Sequence, residues 1–356
     1  MKRTTVWVLL AGMLLTACSA VSGPVEPPAA GQSLRALADE RGMLVGAAVK
    51  ADQLFEDPEY MQTVRDAFNL IVVEWELNFY SINPEPGLYN FYRVDPVFDF
   101  AEENDLLIHA NTLLWYREIP AWFAEGDFTR EESIEIMREH ITTLVGRYKG
   151  RAYAWDVVNE AFTDDGELRE SIWLERIGPD YIELAYQFAH ETDPDALLFY
   201  NDYGAEEPNA KSDAIYEMAA DFRARGVPLD GIGFQMHLSL LGRRNPRRVA
   251  ENMARFDELG LKVYVSEMDV RTTRAIGTQQ QRLDVQAKLY SDMFGVCVAA
   301  PNCDMFVVWG VADHHSYLYR EDPNDMPLLF DRSYEPKPAY YALIEVLNGT
   351  LQGEVE

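Results

Sequence analysis

From about residue 40 the chain alternates short apolar runs with longer segments whose apolar residues recur every three to four positions. The runs are LVGAAV from Leu44, NLIVVE from Asn69, LLIHANTL from Leu106 and YAWDVVNE from Tyr153. They continue with LLFYND from Leu197, GIGFQM from Gly231, KVYVSEMD from Lys262 and DMFVVWGV from Asp304. Near-continuous runs without polar alternation fit strands covered on both faces, as in a parallel sheet. The segments between them, such as 130–148, 179–191, 210–225 and 279–298, predict amphipathic helices. Eight such units in order close naturally into a single (β/α)8 barrel of the α/β class. An open doubly wound sheet is the competing arrangement, but no glycine-rich dinucleotide loop follows the first run. No repeat or linker interrupts residues 35–350, which are therefore expected to form one domain.

The start of the chain has a different pattern. Lys2 and Arg3 precede an apolar run over 6–15, and Leu15-Thr16-Ala17-Cys18 follows. A basic patch and a short apolar core form an export signal, too short to span a bilayer. The last four residues resemble the bacterial lipoprotein cleavage box. Residues 1–17 are then a removable leader and Cys18 is the lipidated first residue of an exported, membrane-anchored chain, at the cell surface or in the periplasm. An ordinary secretory signal is the alternative. Residues 18–34, rich in Ser, Gly, Pro and Ala, read as a flexible tether. Cys297 and Cys303 remain as an even pair in an oxidising compartment and read as a disulfide.

Composition narrows the function classes. With 48% hydrophobic and 25% charged residues among 356, the chain can bury a large core, so disorder is not its main state. Lys and Arg number 31 against 59 Asp and Glu, a formal charge of -28. That balance excludes nucleic acid and anionic membrane surfaces as electrostatic partners and leaves an uncharged polymer available. The only membrane contact expected is through the lipid, and a tethered barrel this acidic is expected to be a monomer.

A barrel of this kind places its active site at the C-terminal strand ends. The apolar runs end on Glu74, Asn111, Asn159 with Glu160, Asn201 with Asp202, Gln235 with His237, Glu267 with Asp269, and Trp309. Packing alone does not call for such a set. Glu160 and Glu267 close the fourth and seventh runs, across the barrel mouth from each other. Glycosidic cleavage needs such a pair, one carboxyl to protonate the leaving oxygen and one carboxylate to meet positive charge at carbon. A structural ion pair is the plain alternative. Asn159 is suited to holding a sugar 2-hydroxyl and His237 to orienting Glu267. Trp115, Trp309, Tyr203 and Tyr317 serve either as core aromatics or as platforms for sugar rings. Adjacent His314 and His315 have no carboxylate at ligand spacing, so a metal site is not expected.

At these residues the chain resembles glycoside hydrolase family 10, the retaining endo-β-1,4-xylanases, over about residues 35–347. The most specific stretches are WDVVNEAFTDDGELRESIW from Trp155, IGPDYIELAY from Ile177 and LFYNDYG from Leu198. GIGFQMH ending at His237, VSEMDVR from Val265, VVWGVADHHSY from Val307 and PLLFDRSYEPKPAYY from Pro327 add to them. The resemblance implies Glu160 as acid/base and Glu267 as nucleophile, with Asp269 and His237 supporting the latter. It places Asn159, Gln235, His237 and Trp309 around the cleaved sugar and Tyr203 on the leaving-group side. It also supports the Cys297–Cys303 pairing and implies double displacement without metal or organic cofactor.

Departures from the family pattern fall on one side. Where the family has ENxMKW, this chain has Glu74-Trp75-Glu76-Leu77-Asn78-Phe79, so Trp75 replaces Asn and Asn78 replaces Lys. Where it has GHTLVWHxQ, Asn111 replaces His and Glu118 replaces Gln, and Tyr317 stands for a later Trp. The resemblance puts these positions on the glycone side, the non-reducing half of the substrate. Each lost charged hydrogen bond costs on the order of 1.5–3 kcal/mol unless replaced. The expected substrate is xylan or a related β-1,4-linked polysaccharide. A retaining β-glycosidase for another β-linked glycan and a non-hydrolytic glycan-binding lipoprotein are the alternatives.

Overall fold

A computed structural model describes residues 33–242 and 244–349. The expected leader, the lipidated Cys18 and most of the tether lie outside the described residues. The domain begins inside the expected tether: Ser33 caps the helix Leu34–Arg41, and Leu34 is fully buried.

The strands are β1 (Leu44–Val49), β2 (Leu70–Val73), β3 (Leu107–Trp115), β4 (Ala154–Asn159), β5 (Leu197–Asp202), β6 (Gly231–Phe234), β7 (His237–Ser239), β8 (Lys262–Arg271) and β9 (Met305–Val308). All pair in parallel. The order runs from β1 through β6, β6 joins β8 and β8 joins β9, and the pairing of β9 with β1 closes the ring. The β6 and β7 segments both pair with β8 and occupy one barrel position. The sixth run is therefore broken at Gln235 and Met236, where Met236 takes φ 59°. Together these make the eight-position (β/α)8 barrel expected from the runs.

Side chains alternate along each strand between two cores. Leu70 and Val72 join Ala48, Ala154, Phe199, Tyr264, Met305 and Val307 inside the barrel. Ile71, Val73, Phe306 and Val308 face outward and pack with the helices. Both faces are dry, which is why the sequence runs lack polar alternation. Helices Arg130–Arg147, Ala210–Arg225 and Gln279–Ala299 each start at a reciprocal capping box, on Thr129, Asn209 and Thr278 respectively. Such caps satisfy amide groups that the first helical turn leaves without partners. A Cys297–Cys303 disulfide closes the loop between the last of these helices and β9.

Three strand pairs shift register near the C-terminal rim: β3–β4 between Asn111 and Leu114, β4–β5 between Asp156 and Val158, and β8–β9 between Val265 and Met268. Bulges of this kind re-aim side chains next to active sites.

Candidate active site

The C-terminal rim opens into a cleft of about 920 Å³. Glu160 and Glu267 both line it, and both are largely buried.

Glu160 directly follows β4 with φ 57°, a left-handed conformation that costs a non-glycine residue about 1 kcal/mol or more. Several bonds hold it there. Its N–H donates to the Asn201 carbonyl at 2.9 Å, and its own carbonyl accepts from Arg169 Nε at 2.9 Å. The next residue, Ala161, donates to the Tyr200 hydroxyl at 2.9 Å, which in turn donates to Asp202 at 2.6 Å. The Glu160 carboxyl is thereby turned into the cleft. It accepts from Trp115 Nε1 and from Gln235 Nε2, each at 3.0 Å.

Glu267, expected to close its run, instead lies inside β8, which continues four residues further to Arg271 along its pairing with β7. Its Oε1 accepts from Asn201 Nδ2 at 2.6 Å, and its Oε2 is 3.1 Å from His237 Nε2. The other ring nitrogen of His237 is 3.0 Å from Asp269 Oδ2. An imidazole facing carboxylates on both sides can donate to both only when protonated. Burial opposes that charge, but Asp269 and Glu267 outweigh it and hold the His237 pKa well above the ordinary histidine range. Burial pushes the Glu267 carboxyl up from 4.5, while His237 and Asn201 pull against it. Asp269 thus reaches Glu267 through His237.

One chain of bonds joins the two carboxyls. Gln235 Nε2 bonds Glu160 and also lies 3.2 Å from Asn159 Oδ1, which accepts from Asn201 Nδ2 at 3.1 Å, and Asn201 bonds Glu267. The side-chain Oδ1 of Asn201 accepts from the Ser266 hydroxyl at 2.6 Å, which fixes the amide's orientation. With its oxygen doubly used and its NH2 without a partner among the described residues, the Asn159 amide has that NH2 left for a molecule in the cleft.

The other expected residues divide into those at the cleft and those behind it. Glu74, Asn78, Asn111, Trp115, Tyr203, Trp309 and Tyr317 line it, as do the substituted Trp75 and Glu118. Asn111 is inside β3, whose pairing with β4 carries it on to Trp115. Its amide donates to Asp156 at 2.8 Å, over a buried layer in which Tyr264 and His109 bond the other Asp156 oxygen at 2.6 and 2.9 Å. Lys50 pairs with Glu74 at 3.0 Å. Asp202, expected at a strand end, is not in the cleft: Tyr200 and the buried Lys211 hold it behind Glu160. Burial pushes its pKa up to about 7, against the pull of Lys211.

Sequence reading marked Asn201 only as a strand-end residue, although it is the shortest donor to Glu267. Its position in NDY was the available signal, but the partner lies 66 residues away. Arg169 and Gly233 were also missed. A Cβ on Gly233 would lie 2.4 Å from Asn201 Oδ1 and 2.7 Å from Tyr264 Cε1, so the glycine makes room for the amide. At the other end, Asp57 comes beside His314 and His315, a carboxylate that the sequence spacing did not reveal. The Tyr334 hydroxyl already bridges that group, 2.5 Å from Asp57 Oδ2 and 2.9 Å from His315 Nε2.

Two buried carboxyls joined by amides, one held by an imidazolium and one by neutral donors, suit acid-assisted displacement at a sugar carbon. Comparison with known proteins points the same way. The family model for glycosyl hydrolase family 10 matches residues 33–346. Endo-1,4-beta-xylanase B of Thermotoga neapolitana is 38% identical over 343 residues, covering 96% of this chain and 97% of the relative. The beta-1,4-xylanase of Dictyoglomus thermophilum is 35% identical over 314 residues, covering 85% and 87%. The crystal structure of xylanase 10B from Thermotoga petrophila in complex with xylobiose superposes with a TM-score of 0.86 at 39% identity, covering 91% of this chain and 99% of that one. Site geometry, barrel and matched residues agree, and the chain belongs to glycosyl hydrolase family 10.

Proposed function

We propose that this chain is a retaining endo-1,4-β-xylanase, cutting internal β-1,4 bonds of xylan by double displacement. The observation that carries this reading is the bonded chain from Glu160 through Gln235, Asn159 and Asn201 to Glu267 and the imidazolium of His237. Glu267, kept ionised by His237 and Asn201, attacks the anomeric carbon while Glu160 protonates the departing oxygen. A covalent glycosyl-enzyme results. Glu160 then takes a proton from water, which displaces Glu267 and releases the sugar with its β configuration. The free NH2 of Asn159 meets the 2-hydroxyl, a contact that tightens as charge develops at carbon. Trp309 and Tyr317, whose ring faces lie at 83° and 86° to His237, flank the sugar attached to Glu267.

The experiment is reducing-sugar release from linear xylan by the intact chain beside Glu267→Ala, with the anomer of the first product followed by NMR. Release of β-product that disappears in the variant supports the reading. Release of α-product, or equal release by the variant, overturns it. The cleft-lining Trp75, Asn78, Asn111, Glu118 and Tyr317 favour a second reading, an altered glycone preference. Faster cleavage of mixed-linkage glucan or of an aryl β-glucoside than of xylan would establish it. Export and lipidation at Cys18 belong to the same proposal, and a Cys18→Ser chain should then leave the membrane fraction.

A further inference from the structure

Asp57, His314 and His315 come together at the barrel rim, and displacement at the sugar carbon involves none of them. Each offers one ligand atom, and the three atoms lie within 4.8 Å of one another. They arrive from opposite ends of the chain. Asp57 caps the helix Pro58–Ala67, where its Oδ1 accepts from the Glu59 and Tyr60 amides at 2.9 and 3.2 Å. The two histidines belong to the single turn Asp313–His315 that follows β9. Because β9 pairs with β1, the group spans the seam of the ring.

Hydrogen bonds within the protein satisfy only part of this group. The Tyr334 hydroxyl donates to Asp57 Oδ2 at 2.5 Å, and its oxygen is 2.9 Å from His315 Nε2. That accounts for Asp57 and His315. It does not account for His314, whose ring centroid is 3.9 Å from that of His315 and whose Nδ1 is buried with no hydrogen-bond partner. A buried nitrogen left in this way is unfavourable and calls for a ligand or an ion.

Two imidazoles and a carboxylate oxygen are a ligand set for a borderline divalent ion. Burial keeps both imidazoles below the ordinary histidine range, His315 at about 4, so both are in the neutral form that binds metal. The Tyr334 hydrogen bond holds the Asp57 carboxyl below its ordinary range, in the ionised form. Lys50, whose charge reaches His315, is already paired with Glu74 at 3.0 Å. Arg332 and Asp331 act on His314 in opposite senses. Mg²⁺ and Ca²⁺ demand about six or more oxygen ligands, which this set does not supply. Zn²⁺ accepts nitrogen and oxygen together at about 2.0–2.2 Å, which spaces tetrahedral ligands roughly 3.3 Å apart. The three atoms, within 4.8 Å already, need to close by about 1.5 Å at most.

We propose that Asp57, His314 and His315 form a Zn²⁺ site that staples the first and last units of the barrel across its seam. The ion takes the place of the Tyr334 hydroxyl between Asp57 and His315 and gives the His314 nitrogen its partner, with water completing the fourth position. The proposal is independent of the xylanase reading.

The test is calorimetric titration of the EDTA-treated, dialysed intact chain with zinc chloride, beside thermal unfolding with and without the ion. A single Zn²⁺ should bind per chain, and the unfolding midpoint should rise by roughly 5 °C at a hundredfold excess over Kd. Asp57→Asn retains a side chain able to cap the helix, and His314→Gln retains a polar side chain. Each should weaken binding about 100-fold or more and remove the shift, since even groups that only hydrogen-bond a metal ligand are worth about 10- to 100-fold. Calcium chloride should leave the midpoint unchanged. No Zn²⁺ binding, or binding that both variants retain undiminished, overturns the proposal. An equal shift with Ca²⁺ overturns it too, because that is the response of a generally acidic surface. None of these outcomes depends on sugar release, so failure here leaves the xylanase reading standing.

Discussion

Glu267 and His237 form the unit on which activity should depend most closely. Burial raises the Glu267 pKa above 4.5, so the acid limb of kcat/KM should lie above that value, because the protonated carboxyl cannot attack. His237 carries positive charge beside it, and that charge favours the ionised carboxylate. Removing the charge in His237→Asn favours protonation, so the acid limb of the variant should move to higher pH. A pH profile of kcat/KM decides this; a limb that stays in place or moves down would show that His237 does not act through charge. Asn201→Ala should lower kcat/KM about 10- to 100-fold, since it removes a hydrogen bond to a charged group worth on the order of 1.5–3 kcal/mol. Steady-state kinetics on a xylo-oligosaccharide, with a thermal melt to confirm folding, provide the check.

Among elements, the broken strand formed by β6 and β7 does most to assemble the site. Gln235 and His237 flank the left-handed turn at Met236, and both reach the cleft, one bonding Glu160 and the other Glu267. Gly233, two positions earlier on the same side, leaves the space that Asn201 fills. Gly233→Ala should therefore cost about 1–3 kcal/mol of stability and lower activity together, by displacing the Asn201 amide or the Tyr264 ring. Denaturant unfolding and xylan assays on the variant read both effects, and unchanged kinetics would mean that the amide had not moved. Most strands were legible as apolar runs, because a barrel dries both faces of each one. The break at Met236 and the continuation of β3 past the run to Leu114 and Trp115 were not, since both depend on register with a neighbouring strand.

For the molecule as a whole, the ring closes where β1 meets β9, and the Cys297–Cys303 bridge secures the approach to β9. A bridge across so short a loop should contribute about 2 kcal/mol, chiefly by restricting the unfolded chain. The Cys297→Ser/Cys303→Ser double variant should thus unfold at lower guanidinium concentration and keep its xylan activity, because neither residue lines the cleft. Unchanged unfolding would mean that the surrounding buried core alone holds this segment. The overall negative charge, in turn, describes the surface and not the cleft, where Lys50, Arg117, Arg244 and Arg320 stand among the carboxylates.

The amino-acid sequence by itself determined the barrel class and the order of its strands, and it singled out the two glutamates as candidates. These follow from local patterns: dry strands read as apolar runs, and chemistry at strand ends stands out against them. It also indicated the Cys297–Cys303 pair, since an even pair so close together leaves few partners. Only the tertiary structure decided which polar residues touch. Asn201 reaches Glu267 across the barrel, Asp269 acts through His237, Asp202 turns away toward Lys211, and Asp57 arrives beside His314 from the far end of the chain. Such contacts depend on ring closure and on one-residue bulges between strands, and these shifts leave no periodic trace in any single strand.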